Sequence, residues 1–136
     1  MTTLDDIRRI VANLPGAEQS EEERIGFSVL NKGKSKGFVW AWLERTDPKR
    51  ARVVNNRVLA VVVPGLAAKE LLLASDPSGE KIFTEPHYNG YPAILVRLDE
   101  INPDELAPLI VEAWRCRAPR DLIRQYEATS HEDTVG

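Results

Sequence analysis

Six aliphatic residues in a row, Val58-Leu59-Ala60-Val61-Val62-Val63, stand between Arg57 and the breaker pair Pro64-Gly65. No other segment constrains the fold as much. The run falls far short of the ~20 apolar residues that span a bilayer, and its β-branched content with a Pro-Gly stop reads as a strand over Arg57 to Val63. A strand that is apolar at every position needs cover on both faces. The run therefore calls for a place in the middle of a sheet with a helical layer on one side. The second face is then buried by the terminal helices, paired with another subunit, or used for binding.

The flanking segments supply the partners. Ile25 to Val29 and Phe38 to Glu44 read as strands, joined by the Gly- and Lys-rich turn Asn31 to Gly37. Strict alternation places Phe38, Trp40 and Trp42 on one face of the second strand and Val39, Ala41 and Leu43 on the other. Thr46 to Asn56 is a basic loop. Ile82 to Tyr88 and Tyr91 to Asp99 flank Asn89-Gly90, and Asn-Gly is the strongest short hairpin signal because both positions tolerate positive φ. Thr3 and Asp6 form a capping box for a helix carrying Leu4, Ile7, Ile10, Val11 and Leu14, which Pro15-Gly16 ends. Glu18 to Glu23 follows as an acidic loop or short helical turn. Leu66 to Ser75 is a short helix. Asn102-Pro103-Asp104-Glu105 opens another with Leu106, Leu109, Ile110, Ala113 and Trp114 as its stripe, and Pro108 is expected to distort its first turns. Pro119 restarts a last helix over Arg120 to Glu127.

Strands joined by tight turns make an antiparallel sheet, and amphipathic helices must cover one face of it. The expected fold is α+β: a two-layer sandwich of a five-stranded antiparallel sheet with helices on one face, in the order α-β3-α-β2-α(-α). Residues 1–127 form a single domain, and the polar segment 128–136 is expected to be a disordered tail.

The chain has 136 residues, of which 43% are hydrophobic and 29% charged, proportions of a folded globular domain. The N-terminal stretch Met1 to Asp6 has no basic start or apolar core, so no signal peptide is read, and a single cysteine fits a reducing cytoplasm. The expected location is cytoplasmic, with no membrane partner. A net charge of −3 argues against indiscriminate attraction to phosphate, yet it hides an asymmetry. Arg24 to Arg57 holds nine basic and two acidic residues, so a segment of +7 sits on a body of −10. Such a split points to a polyanion on one side; its plainer reading is solvation of hairpin turns and protection of strand edges.

The stretch Ile82-Phe83-Thr84-Glu85-Pro86-His87-Tyr88-Asn89-Gly90-Tyr91-Pro92-Ala93-Ile94-Leu95-Val96-Arg97-Leu98 resembles the signature of the MmcQ/YjbR family. Val63 to Leu66, Lys69 to Pro77, Glu105-Leu106 through Glu112 to Arg115, and Ala118 to Arg120 fit it too, so the likeness runs from about Leu4 to Tyr126. The resemblance implies a two-layer YjbR-like domain, α-β3-α-β2-α, with a sheet akin to that of CyaY and of secretion chaperones. It also implies a "double-wing" DNA-binding role, and it brings no catalytic residues. The segment Thr46 to Asn56 departs from the family pattern.

Lys32, Lys34 and Lys36 alternate through a glycine-bounded turn, and Arg45, Lys49, Arg50 and Arg52 form a second cationic loop at the other end of the Phe38–Glu44 strand. Two such loops suit weak contact with a duplex phosphate backbone, with Trp40 or Trp42 stacking bases if exposed, or forming core if not. The competing reading is a protein-interaction or chaperone-like module, pressing a partner or a second copy on the apolar sheet face. Pro86, His87, Tyr88, Gly90, Tyr91 and Pro92 are the best candidates for a small-molecule site. Without a nucleophile, metal or second titrating group, their simpler role is to stiffen a hairpin. No catalytic residue, metal site or cofactor is expected: His87 and His131 are the only histidines, no phosphate loop is present, and Cys116 reads as a small buried hydrophobe.

Overall fold

The computed structural model describes residues 1–20, 24–45, 47 and 49–135, with side chains through 129. Its elements are α1 (Leu4–Val11), β1 (Ala17–Gln19), β2 (Gly26–Asn31), β3 (Lys34–Glu44), β4 (Val53–Val62), α2 (Leu66–Ala74), β5 (Ile82–Phe83), a 3-10 turn (Pro86–Tyr88), β6 (Ala93–Arg97), α3 (Pro103–Arg117) and α4 (Arg120–Val135). The six strands form one sheet in the order β1-β2-β3-β4-β6-β5, and every neighbouring pair is antiparallel. The α+β class stands; the expected five strands become six. The added strand, β1, is polar and lies at the edge, pairing Ala17 with Val29 and Gln19 with Phe27, so no apolar alternation announces it. Of the acidic segment Glu18 to Glu23, residues 21–23 lie outside the described residues.

β4 lies fourth from the β1 edge, bonded to β3 on one side and β6 on the other. Its residues divide between two covers. Leu59 and Val61 join the main core beneath the helices, together with Ile7, Phe38, Val39, Ile94, Val96, Leu106, Ile110 and Trp114. Val58 and Ala60 face the other way and pack with Tyr88, Ala93, Leu95, Trp40, Trp42 and Phe83. The helical cover is α3, lying on β2, β3 and β4, with α1 beside it and α2 against the β5–β6 edge. Trp114 of α3 is wholly buried, donates from Nε1 to the Pro15 carbonyl (3.2 Å), and meets Tyr126 of α4 edge to face. Pro108 sits within α3 without ending it; having no amide proton, it leaves the Asp104 carbonyl without its i+4 donor.

Two backbone irregularities correct the expected side-chain pattern. Phe27 pairs with Val39 while Ser28 pairs with Gly37, so Phe38 is an extra residue in β3, a β-bulge. The bulge turns Phe38 onto the helical side with Val39 and Ala41 and leaves Trp40 and Trp42 on the opposite face. The expected row Phe38, Trp40, Trp42 is therefore split. The expected turn over Asn31 to Gly37 is also tighter than read. Only Lys32 and Gly33 turn, at φ 53° and 78°, the paired left-handed conformations of a two-residue type I′ loop, and Lys34 already belongs to β3.

The Asn89-Gly90 pair does not make the expected hairpin. β5 and β6 do pair, Ile82 with Val96 and Phe83 with Leu95, but residues 84–92 separate them. Asn89 has φ −61° and ψ 130° with Gly90 at φ 78°, and Tyr91 N donates to Tyr88 O (3.0 Å), as in a type II turn. Pro86 and Pro92, which lack amide donors, flank this turn and prevent strand pairing there. At the C-terminus, α4 runs to Val135, past the boundary expected at 127 and into the segment read as a disordered tail; no glycine or proline interrupts the helix between Arg120 and Val135. Cys116 also departs from expectation: it is exposed, on the solvent side of α3.

Because the bulge buries Phe38, Phe38→Ala should destabilise the domain by about 3–5 kcal/mol in urea unfolding. A loss under about 1 kcal/mol would place the ring on the outer face instead.

Candidate functional site

The outer face of the sheet is crossed by residues 84–92, and the two candidate sites lie along it and beyond its end. Glu85 starts the crossing by accepting from His87 N through Oε2 (3.3 Å), which caps the 3-10 turn. Tyr88, buried, sits on Val58, Ala60 and Leu95, and its hydroxyl accepts from Trp40 Nε1 (3.1 Å). Beside it, Trp42 meets Phe83 edge to face, and the Arg97 guanidinium lies 4.0 Å over the Phe83 ring. Both tryptophans are therefore half-buried packing residues, so neither offers an open stacking platform.

Lys69 holds this segment from the side. It shares the stripe of Leu72 and Leu73 on α2, is only 5% exposed, and donates from Nζ to the carbonyls of Tyr88 (2.6 Å) and Tyr91 (2.9 Å). Those carbonyls bound the type II turn and each accepts one backbone amide, from Tyr91 N (3.0 Å) and Ala93 N (2.8 Å); the ammonium supplies a second, charged donor to both. Desolvation pushes the Lys69 pKa below its ordinary value. At the far end of the turn, Arg117 Nη2 donates to Tyr91 Oη (3.3 Å).

A pocket of about 320 Å³ opens between this segment and β3. Trp40 and Leu43 of β3, His87, Tyr88 and Tyr91 of the crossing segment, and the cations Arg24 and Arg52 line it. Both guanidiniums are tied to β3 carbonyls, Arg24 Nε to Ala41 O (2.9 Å) and Arg52 Nη1 to Leu43 O (2.7 Å). Arg52 also stands 3.8 Å from Glu85 Oε1. The expected signature residues thus gather here in part: His87, Tyr88 and Tyr91 line the pocket, while Pro86, Gly90 and Pro92 shape the backbone that carries them.

The basic residues fall into two groups. Lys32, Lys34 and Lys36 are exposed at the β2–β3 tip, and none of their side chains makes a hydrogen bond or ion pair to another described residue. Register pairs Lys34 with Asn31 and Lys36 with Val29, so both rise from the helical side, where Asn31 Nδ2 donates to Arg117 O (2.9 Å). Asn31 and Lys32 border a groove against Pro119 and Arg120 at the α3–α4 junction. Arg45, Lys49 and Arg50 are exposed at the opposite end of β3, which its 11 residues place roughly 35 Å away. Arg50 pairs with Asp47 (3.9 Å), and Arg52 has turned inward to the pocket. Sequence reasoning missed Arg24, Lys69 and Arg120. Only Lys69 carried a signal, as a lone cation on the apolar stripe of a short helix. The Cys116 thiol is pushed up by desolvation and by Glu112, with Arg117 opposing, which leaves it unactivated. Among the described residues no cluster of histidine, cysteine or carboxylate could hold a metal, and no helix is long and apolar enough to cross a membrane.

No family model matches the chain. The crystal structure of Deinococcus radiodurans protein DR2400, a DUF419 domain, aligns with a TM-score of 0.58 over 84% of this chain and 77% of that one, at 22% identity. That likeness is one of fold, and it places the antiparallel sheet and its helices in the architecture of a DUF419 domain. Mb2600 of Mycobacterium bovis and MT2646 and Rv2570 of Mycobacterium tuberculosis, all named as uncharacterised proteins, are each 38% identical over 141 residues, 96% of this chain and 99% of their own. The chain belongs to the family of these mycobacterial proteins.

Replacing Lys69 with Met should take the charged donor from the Tyr88 and Tyr91 carbonyls, leaving each only its backbone donor, and destabilise the fold by about 1–3 kcal/mol, with hydrogen exchange quickening first in residues 84–92. The sign with pH follows from burial. The unfolded chain keeps the Lys69 proton at pH values where the folded chain releases it, so this residue's contribution to stability rises as pH climbs toward 10.5. Denaturation of wild type and Lys69→Met across that range should show the rise in wild type alone.

Proposed function

We propose that the chain is an MmcQ/YjbR-type protein that binds the phosphate backbone of DNA through the tip of its β2–β3 hairpin. One observation carries the reading: Lys32 in the two-residue turn and Lys34 and Lys36 at the start of β3 stand exposed, without a counter-ion among the described residues, at one hairpin tip. Arg120 extends the patch across the groove from the hairpin, and Lys32 borders the same groove. Contacts of this kind give affinity without sequence choice, because phosphates carry no base information. The surrounding body, at a net −10 outside residues 24–57, repels a polyanion and so orients it toward the tip. Arg45, Lys49 and Arg50 lie too far from the tip to share a phosphate with it, and they supply at most a separate contact.

The protein-interaction reading would use the open sheet face. Residues 84–92 already cover the centre of that face, which leaves Leu30 and Val53 exposed on it, since Val54, next to Val53 in β4, points to the other side. They do not form a row that favours a partner.

In a titration of duplex DNA at increasing salt, the wild type should bind with a salt slope that the triple variant Lys32→Ala, Lys34→Ala, Lys36→Ala flattens by up to about three units. Arg120→Gln should remove about one more. Absence of binding by wild type at low salt, or an unchanged slope in the triple variant, would overturn the proposal.

A further inference from the structure

We infer that the pocket between β3 and residues 84–92 binds a small molecule composed of a flat ring and an anionic group. The site is separate from the hairpin tip and does not depend on DNA binding. Its volume of about 320 Å³ lies at the small end of ligand pockets, enough for one ring system with an acidic substituent. Aromatic rings make up much of its lining. The Trp40 indole and the rings of Tyr88 and Tyr91 all border it, the two tyrosines edge to face with centroids 6.2 Å apart. Such walls take a planar ligand at little entropic cost, because packing and hydrogen bonds already hold Trp40 and Tyr88 in place.

Charge specifies the rest of the ligand. Arg52 has a neighbouring carboxylate in Glu85, whereas Arg24 has none among the described residues. Arg24 spends one of its five N–H groups on the Ala41 carbonyl, which fixes the plane of the guanidinium and leaves its terminal nitrogens without a protein acceptor among the described residues. A fixed planar guanidinium on a pocket wall matches a carboxylate or a phosphate monoester in two parallel hydrogen bonds. A neutral ring would gain the aromatic contacts but leave that cation uncompensated, and a bare anion would leave the aromatic walls unfilled.

The test follows the three indole N–H signals of the ¹⁵N-labelled full chain by NMR. Benzoate and phenyl phosphate present the two anionic heads on one ring; benzamide keeps the ring without charge, and acetate the charge without a ring. Benzoate or phenyl phosphate should shift the Trp40 signal saturably, with benzamide and acetate weaker by about tenfold or more. Which head binds tighter decides between a carboxylate and a phosphate ligand. Trp114, wholly buried and bonded to Pro15 O, serves as the internal reference for folding and should not move. Arg24→Gln should weaken the favoured anion about tenfold while benzamide is unaffected, and the triple lysine variant should bind it like wild type. No saturation by either anion up to about 20 mM, or an equal response to benzamide, would overturn the inference.

Discussion

A strand with no polar face governs this domain. β4 presents Leu59 and Val61 to one side and Val58 and Ala60 to the other, all buried. Hydrophobic burial favours any arrangement that keeps water from both faces, and one layer of helices can serve only one of them. α3 takes the helical side, centred on Trp114. On the other side residues 84–92 serve instead, a non-helical segment that brings its own unpaired backbone groups over the sheet. That second cover makes Lys69 necessary. A loop laid across an apolar surface loses water from its carbonyls, and the buried ammonium replaces that water at Tyr88 and Tyr91.

The same demand creates the pocket. A helix would have filled the outer face with side chains along its length, whereas a two-proline segment touches it mainly through Tyr88 and leaves space toward Leu43 and Arg52. The arginines at the margin are oriented by carbonyls of β3 that the neighbouring strands leave free. Ala41 and Leu43 both face the β2 side of β3, past the last β2–β3 pair of Gly26 with Trp40, which leaves their carbonyls to Arg24 and Arg52. Packing, backbone satisfaction and a candidate binding site are here consequences of a single choice of cover.

Much of the framework is legible in the residues themselves. The capping box at Thr3 and Asp6, the helix over Leu66 to Ala74 and the Asn102-Pro103 helix start all occur where local chemistry places them. The central strand, the hairpin before it and the basic tip are equally visible. The bulge at Phe38 is not, because alternation in the chain continues unbroken through it; only the pairing of Phe27 with Val39 and Ser28 with Gly37 inserts the extra residue. The two Gly turns show a related limit. Asn89-Gly90 carries the stronger hairpin signal, yet the prolines around it deny a ladder, and Lys32-Gly33 takes the type I′ conformation because two continuous strands impose their twist on it.

The candidate sites divide along the same line. Adjacent residues determine the basic tip: Lys32-Gly33 makes the turn, and Lys34 and Lys36 follow at alternate positions of the strand that leaves it. The net charge of its segment follows from counting alone. The pocket is a different kind of object. Arg24, Trp40, Arg52 and the group His87, Tyr88 and Tyr91 come from four separated stretches of chain, and only antiparallel pairing with residues 84–92 folded back over β3 brings them together. Local sequence determines turns, caps and strand character because those depend on neighbours. Tertiary structure alone decided which face each tryptophan took, where Lys69 was buried, and which pocket arginine had no carboxylate beside it among the described residues, because each depends on what the rest of the chain could cover.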